Sequence, residues 1–316
     1  MENVRTSLNG YRLDAELKEV PIGFVNGLRR ICLADIPTVV LTNIQILENT
    51  TSMTHEMLRH RVEMLPVSAL PEEAAILRDT KIELRFLSAP KEREVTSDDF
   101  VVAGPRKEIL MHDRDLGTPM FFLLLKPGEA LHIRATLGIQ TTGGSQVCVS
   151  TFRNHIDPKQ AETDRKLFVD DQKGDPRIFD KYLVQRSYSR DDVTKRANWF
   201  DLTVESIGVM PARDILRRAA DVLAGKITEW AKTPVQREEN GWYRMETDGE
   251  TFTVGQLVQE LMYAGGLVEF VSRDVGHPLV PKLTVRFQTK TIQPEAVVEK
   301  CKAQALALCE NVLKSV

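Results

Sequence analysis

The hydrophobic period changes twice in the first part of the chain. Residues 11–18 alternate between polar and apolar side chains, which predicts a half-buried strand. Phe24, Leu28 and Ile31 then recur at helical spacing, which predicts a helix with one apolar stripe. We expect this helix to end at Ile36, because the residue before a proline avoids the helical conformation.

A second strand and a short helix are predicted next. Residues 39–47 are rich in β-branched side chains, which favour strands. Either Ser52 or Thr54 can cap the following helix, which should end before Pro66. From 67 to 150, short strand-like runs separated by proline and glycine predict a β-rich module.

The second half begins with a long polar stretch. Residues 153–198 show no strong periodicity, so we expect an irregular connection. Residues 200–206 alternate as a strand, and a helix should open near Pro211. Its apolar stripe is Ile215, Ala219, Leu223, Ile227 and Trp230. Residues 232–241 resemble a linker, being polar and interrupted by proline and glycine.

The last segment predicts a small domain with the order strand, helix, strand, helix. The strands should lie at 242–245 and 283–289. Thr253 and Gln256 have the spacing of a capping box, which would open the first helix. Pro294 should start the second helix. The second helix carries a stripe of Val297, Cys301, Ala305, Leu308 and Val312.

Bulk composition limits the function classes. The 316 residues are enough for two or three domains, and the 42% apolar and 28% charged content is ordinary for a globular protein. A net charge of −3 argues against a dedicated nucleic-acid binder, which normally carries a basic surplus. No stretch has the length and apolarity of a membrane helix, and the N-terminus lacks the apolar core of a signal peptide. We therefore expect an intracellular protein.

Candidate catalytic and metal-binding chemistry is sparse. The four cysteines form no C-x-x-C pair, and the six histidines form no H-E-x-x-H motif, so no metal or cofactor is predicted. Acidic pairs at 98–99, 170–171 and 191–192, with Asp113 and Asp115, could bind Mg²⁺, but turn-like segments normally leave carboxylates solvated. A P-loop and a nucleophile elbow are both missing from the sequence. An alternative is a transcription regulator that binds nucleic acid through the arginines of 186–196, which Asp191 and Asp192 dilute.

Two sets of motifs resemble the assembly subunits of cellular RNA polymerases. Residues 24–67, 95–99, 125–135 and 204–208 resemble the third subunit of the eukaryotic enzymes, called D in archaea. The stretch Thr-Val-Gly-Gln at 253–256, with His277-Pro-Leu, the 283–289 strand and the last helix, resembles the small partner, which is the eleventh subunit or archaeal L.

The sequence departs from these families at three places. The partner's Thr-Leu-Gly-Asn turn is here Thr-Val-Gly-Gln, a mild change. Residues 141–148 replace the His-Ala-Lys-Trp signature of the insert domain, and the cysteine-rich loop of some relatives is missing.

The resemblance implies an α+β scaffold in which two dimerisation modules pair within one chain. The large-partner module would comprise 1–67 and 199–232, the inserted β-rich domain 68–198, and the small-partner module 238–316. Such a chain would have no active site of its own. It would bind the second-largest and then the largest polymerase subunit, with a small zinc-binding subunit nearby, and would contact DNA and RNA only through the complex.

A single-chain fusion further implies that the source is a large DNA virus. The protein would then occur in the host cytoplasm or nucleus and in the virion, and it would not form a homodimer.

The residues expected to contact other subunits are Asn26, Arg29, Arg30, Glu56, Arg61 and Glu205. For the last three, structural roles remain open, such as Arg61 holding the Pro66 turn. The residues expected at the intramolecular interface are Phe24, Leu28, Ile31, Ile215, Leu223, Ile227, Leu257, Leu261, Cys301, Leu308 and Val312. Gly27 is either simply tolerated in its helix or required by close approach of a partner backbone.

Overall fold

The computed structural model describes residues 1–88, 90–141, 147–192, 194–249, 252–277 and 279–316. Its helices are α1 (Ile22–Ala34), α2 (His55–Glu63), α3 (Ala74–Asp79), α4 (Pro158–Lys166), α5 (Pro176–Ile178), α6 (Ala212–Ala231), α7 (Phe252–Ala264) and α8 (Pro294–Ser315). Its strands are β1 (Glu2–Ser7), β2 (Arg12–Lys18), β3 (Thr38–Asn49), β4 (Lys81–Phe86), β5 (Arg93–Thr96), β6 (Val101–Ala103), β7 (Phe121–Leu125), β8 (Leu131–Gln140), β9 (Cys148–Asn154), β10 (Trp199–Ser206), β11 (Gln236–Arg237), β12 (Trp242–Asp248), β13 (Phe270–Val275) and β14 (Lys282–Gln288).

Helices combined with several small sheets make the protein α+β, as the sequence predicted. Its chain divides into two compact units. The first comprises Met1–Ile31, Ser150–Val204 and Arg213–Val316, and the second comprises Cys32–Val149 and Glu205–Ala212. The predicted modules stay a prediction, and the compact units begin at other residues: the second unit starts within α1, at Cys32, and the first resumes at Ser150.

Strand β3 belongs to the second unit because it is hydrogen-bonded to a strand of that unit. β3 pairs antiparallel with β8 in a four-stranded sheet of order β3-β8-β4-β6. Val39 and Leu41 are buried in the same core as Ile133 of β8. Helix α2 packs there too, and it is Thr54 that caps it, accepting a hydrogen bond from the Met57 amide at 3.3 Å. The pairing partner of a strand depends on distant sequence, so the boundary could not be derived locally.

The first unit contains two four-stranded sheets, of order β1-β2-β10-β9 and β11-β12-β14-β13. Helices α1, α6, α7 and α8 bury their apolar stripes within it. The tail has one strand more than predicted, because β13 pairs antiparallel with β14. Among the described residues, none of the helices has the length and apolarity to cross a membrane.

The polar stretch 153–198 is less irregular than the sequence suggested. Asp157 caps α4 by accepting a hydrogen bond from the Lys159 amide, with Pro158 in the first turn. α-Helical and π-helical turns follow between Leu167 and Leu183. Asp157 followed by Pro158 is a recognisable signal for the start of a helix. The prediction did not use it, because the stretch has no hydrophobic periodicity. The replaced family signature at 141–148 falls largely on residues 142–146, which lie outside the described ranges.

Candidate functional site

The residues predicted to form an intramolecular interface lie, with one exception, in the interior. Ten of them are at most 8% exposed: Phe24, Leu28, Ile31, Ile215, Leu223, Ile227, Leu257, Leu261, Cys301 and Val312. Leu308 is only partly buried, and the neighbouring Cys309 is buried instead. Helices α7 and α8 also meet through the Cys301 thiol, whose sulfur lies 3.9 Å from the Val258 carbonyl oxygen.

A buried carboxylate caps α1 from α7. The Gly23 amide, in the first turn of α1, donates a hydrogen bond of 2.7 Å to Oε2 of Glu260. The other oxygen, Oε1, accepts hydrogen bonds from Arg196 at 2.8 Å and Gln256 at 3.2 Å. Amides in the first turn of a helix have no partner within the helix, and negative charge there is stabilising. Glu260 therefore joins α1, α7 and the segment before β10.

A second contact joins the same two helices. Nε of Arg30 donates a 3.0 Å hydrogen bond to the hydroxyl oxygen of Thr253. Since Thr253 lies inside α7, which begins at Phe252, the predicted capping box at this residue is wrong. Gly27 lies between the two contacts, where an added Cβ would be 3.6 Å from the Thr253 methyl group. That is an ordinary contact, so close backbone approach does not require this glycine. We call Gly23, Arg30, Thr253 and Glu260 the seam.

The remaining predicted contact residues of α1 and α2 lie on the surface of their helices. Both Nε and Nη2 of Arg29 donate to the Asn26 side-chain oxygen, at 3.2 and 3.0 Å, and both residues are partly exposed. Glu56 is exposed in the first turn of α2 and makes no ion pair with any described residue. A negative charge at this position stabilises the helix through its dipole.

Arg61 fastens α2 to β7 rather than to the Pro66 turn. Its Nε donates a 2.7 Å hydrogen bond to the Phe122 carbonyl oxygen. The guanidinium also lies about 6 Å from the rings of Phe121 and Phe122, at 5.9 and 6.0 Å. Met57 and Phe121 nearby are each 54% exposed. Arginine beside exposed methionine and aromatic side chains is typical of protein interfaces.

Glu205 is held by an arginine of its own compact unit. Arg114 donates to Glu205 at 2.9 Å and to Asp115 at 2.9 Å, and also to the Ser206 carbonyl oxygen. Hydrogen bonds from Arg114 to Asp115 and Glu205 raise the pKa of the arginine, although burial opposes the shift. Glu205 thus has a structural partner, and Gly208 follows it with a φ of +115°, in the region that favours glycine.

One group among the described residues has the composition of a metal site. Ligand atoms of Glu16, His155 and Asp201 lie within 4.8 Å of one another. Each carboxylate is already occupied: Asp201 accepts from His155 Nδ1 at 2.6 Å and from Arg153 at 3.0 Å, and Glu16 accepts from Trp199 at 3.3 Å. Because the Arg153 guanidinium also bonds Asp201, these side chains form a hydrogen-bond network across the face of the sheet.

Three of the acidic residues accept hydrogen bonds from backbone amides in turns. Asp99 accepts from the Thr96 amide, Asp113 from the amides of Asp115 and Leu116, and Asp191 from the Thr194 amide. Such bonds are the usual role of aspartate in turns. Within the described ranges, none of these aspartates belongs to a group of three side chains that could hold a metal ion together.

Glu260, a buried acidic residue, is not among the site residues predicted from the sequence. The signal was present, because Glu260 adjoins Leu261 on the apolar face of α7, where an acidic residue needs a partner. Its partners, Gly23 and Arg196, are 237 and 64 positions away, so they could not be derived from spacing.

Comparison with known proteins gives two family matches. Residues 15–227 match the RNA polymerase Rpb3/Rpb11 dimerisation domain, and residues 243–315 match a second family with the same description. The first match covers more than half of the chain, and the second begins after α6 ends.

Among similar proteins is the DNA-directed RNA polymerase subunit Rpo3 of Natronomonas pharaonis, 25% identical over 237 residues, with 67% of this chain and 89% of the relative covered. The Rpo3 subunit of Aeropyrum pernix is 26% identical over 146 residues, with 40% of this chain and 49% of the relative covered. A conjugation stage-specific protein of Tetrahymena thermophila is 24% identical over 187 residues, with 48% of this chain and 60% of the relative covered. The chain thus spans 49% of the Aeropyrum pernix relative and 60% of the Tetrahymena thermophila relative. It belongs to the RNA polymerase Rpb3/Rpb11 dimerisation-domain family and carries two such domains in one polypeptide.

Proposed function

We propose that this chain is a non-catalytic assembly subunit of a multi-subunit DNA-directed RNA polymerase. The observation that carries the proposal is that both dimerisation domains occur on one chain and that α1 of one is hydrogen-bonded to α7 of the other through the seam. Covalent linkage raises the effective concentration of such a pair to roughly millimolar. The platform would therefore form within one chain, before any other subunit binds.

In this proposal the second-largest subunit binds first and the largest follows, with a small zinc-binding subunit nearby. Catalysis and its Mg²⁺ belong to the two largest subunits, and this chain meets DNA and RNA only through the complex. Asn26 and Arg29 on α1, and Glu56 on α2, are proposed contacts because they present polar groups at the surface of their helices. Arg61 on α2 is bonded to the Phe122 carbonyl, and it is proposed as a contact because exposed Met57 and Phe121 lie beside it. Arg30 and Glu205 are engaged within the chain and would act indirectly.

Co-expression with the second-largest subunit tests the proposal. We expect the two chains to co-purify, and we expect Arg29→Glu with Glu56→Arg to abolish this without unfolding the protein. Glu299→Arg is the matched control, because Glu299 is an exposed acid on α8 outside the proposed contacts. Order of assembly is tested by adding the largest subunit with and without the second-largest. Failure of the wild-type chain to bind either large subunit would overturn the proposal.

A regulator that binds nucleic acid through 186–196 is the competing outcome of the same experiment. Its support is reduced because Arg196 pairs with Glu260 and Arg190 lies 4.8 Å from the Tyr188 ring. Salt-sensitive DNA binding by the isolated chain, without co-purification, would favour the regulator.

We also propose an origin in a large DNA virus, for which the support is the presence of both domains on one chain, and with it an intracellular location. Immunodetection in host cytoplasm, host nucleus and purified particles would test the location and the packaging.

A further inference from the structure

A cavity of about 460 Å³ opens within the first compact unit, beside the seam. This volume falls in the roughly 300–1,000 Å³ range of ligand sites. We call it the seam cavity. Its walls are largely apolar and come from the start of α1 and the residues before it, the end of α7 and the middle of α8: Val20, Ile22, Leu261, Ala264, Ala307 and Leu308.

The polar lining of the seam cavity is negatively biased. It contains three carboxylates, from Glu19, Asp191 and Glu260, and one guanidinium, from Arg196. Arg196 is already paired with Glu260. Glu19 is exposed and makes no ion pair within the described part of the chain. Helix α7 also ends at Ala264, on the cavity wall, and the carbonyl end of a helix favours positive charge.

We propose that the seam cavity binds a basic amphipathic segment of a partner polypeptide. A large apolar side chain of that segment lies against Leu261, Ala307 and Leu308, and an adjacent lysine or arginine lies beside Glu19 and the end of α7. Charge complementarity selects this occupant, because the excess of carboxylates repels phosphate and acidic segments. The inference goes beyond the proposed subunit contacts, since none of Asn26, Arg29, Glu56 and Arg61 lines the cavity.

Fluorescence anisotropy with two labelled synthetic peptides tests the proposal. The peptides share the same leucine positions and carry lysine or glutamate at every polar position. We expect the lysine peptide to bind the full-length chain at least about tenfold more tightly, and the difference to shrink with added salt. Equal binding of the two peptides would overturn the proposal.

Two exposed alanines of α8 give a matched pair of variants. Ala307→Arg fills the cavity and reduces the negative charge of its lining, whereas Ala303→Arg places the same side chain on the same helix outside the lining. We expect A307R to weaken binding of the lysine peptide about tenfold or more and A303R to leave it within about twofold. Glu19→Gln should weaken the lysine peptide alone. Binding insensitive to A307R and E19Q would place the peptide elsewhere and overturn the assignment. Co-purification of A307R with the second-largest subunit, measured in parallel, reports on the proposed function separately.

Discussion

The Gly23 amide and the Glu260 carboxylate are joined by a 2.7 Å hydrogen bond across 237 positions of sequence. Glu260 is only 6% exposed, and its charge is balanced by the more exposed Arg196. The Glu260 side chain thereby accepts a hydrogen bond from an amide in the first turn of α1 and binds the segment that carries Arg196 to α7. This contact ties the N-terminal helix to the C-terminal domain.

Removing this carboxylate should destabilise the whole first unit. Glu260→Ala leaves the Gly23 amide without its acceptor, and we expect the free energy of unfolding to fall by about 1–3 kcal/mol. Urea denaturation, monitored by circular dichroism, measures this free energy of unfolding. Glu299→Ala, which removes an exposed acid from α8, should change stability by less than about 0.5 kcal/mol. Equal effects of the two substitutions would contradict a role for Glu260 in the seam.

Two glycines of α1 should respond to alanine in opposite directions. At Gly23 a Cβ would lie 2.8 Å from Glu260 Oε2 and 3.2 Å from the Gln256 backbone, so Gly23→Ala should cost about 1–3 kcal/mol. At Gly27 the nearest atom is 3.6 Å away, so Gly27→Ala should stabilise the protein by up to about 1 kcal/mol through helix propensity. The same urea titration compares them, and a destabilising Gly27→Ala would show that the helix is more tightly packed there.

The thiols of α8 should be inert in the folded protein. Burial raises the pKa of Cys301 to about 12, and burial with the nearby charge of Asp221 raises that of Cys309 to about 12. An unfolded cysteine has a pKa of about 8.5, and only the thiolate is reactive. We expect no rapid reaction with a disulfide reagent at pH 8.5 until denaturant is added. Fast labelling of either cysteine in the native state would contradict this.

The same two thiols should lower stability at alkaline pH. Between about pH 8.5 and pH 12 the unfolded state loses the thiol protons and the folded state retains them. Ionisation therefore favours unfolding as the pH rises. The slope of the unfolding free energy against pH should be shallower in a Cys301→Ala, Cys309→Ala variant, and an unchanged slope would contradict the burial of these thiols.

Asp14 should contribute stability at neutral pH that disappears in acid. Burial opposes its ionisation, but hydrogen bonds from Arg12 and Thr203 and the charges of Arg12 and Arg153 outweigh burial and lower its pKa below 3.8. A lowered folded-state pKa stabilises the protein above the unfolded value, and this gain is lost as the pH falls through the folded one. Because Asp14 is 41% exposed, Asp14→Asn should cost less than about 1 kcal/mol at pH 7. Thermal unfolding measured at several pH values from 7 downward should show the difference between the two proteins shrinking as the pH falls.

The isolated chain should be monomeric. The apolar stripes of α6, α7 and α8 are covered within the first unit, so little dimerisation surface is left. Size-exclusion chromatography with light scattering measures the mass. A stable homodimer that persists on dilution and is disrupted by substitutions on α6 or α8 would contradict the intramolecular pairing.

Local sequence signals predicted most of the helices and several strands. The stripe of Phe24, Leu28 and Ile31 and the proline at 294 located α1 and α8, because the turn of a helix and its first residue depend on near neighbours. Residues 153–198 were harder, since α4 is polar throughout and has no apolar period to detect. Leu308 was assigned to the interior by spacing alone, yet it lines the seam cavity while Cys309 is buried.

The sequence by itself therefore determined the α+β class, the apolar stripes and the likeness to two polymerase dimerisation domains. Only the tertiary structure decided that β3 belongs with β8 in the second unit, that Arg30 bonds Thr253, that Arg61 bonds the Phe122 carbonyl, and that Glu260 caps α1. The physical reason is distance along the chain. A side chain's helical face is fixed by residues three or four positions away, whereas its hydrogen-bond partner is fixed by how distant segments pack.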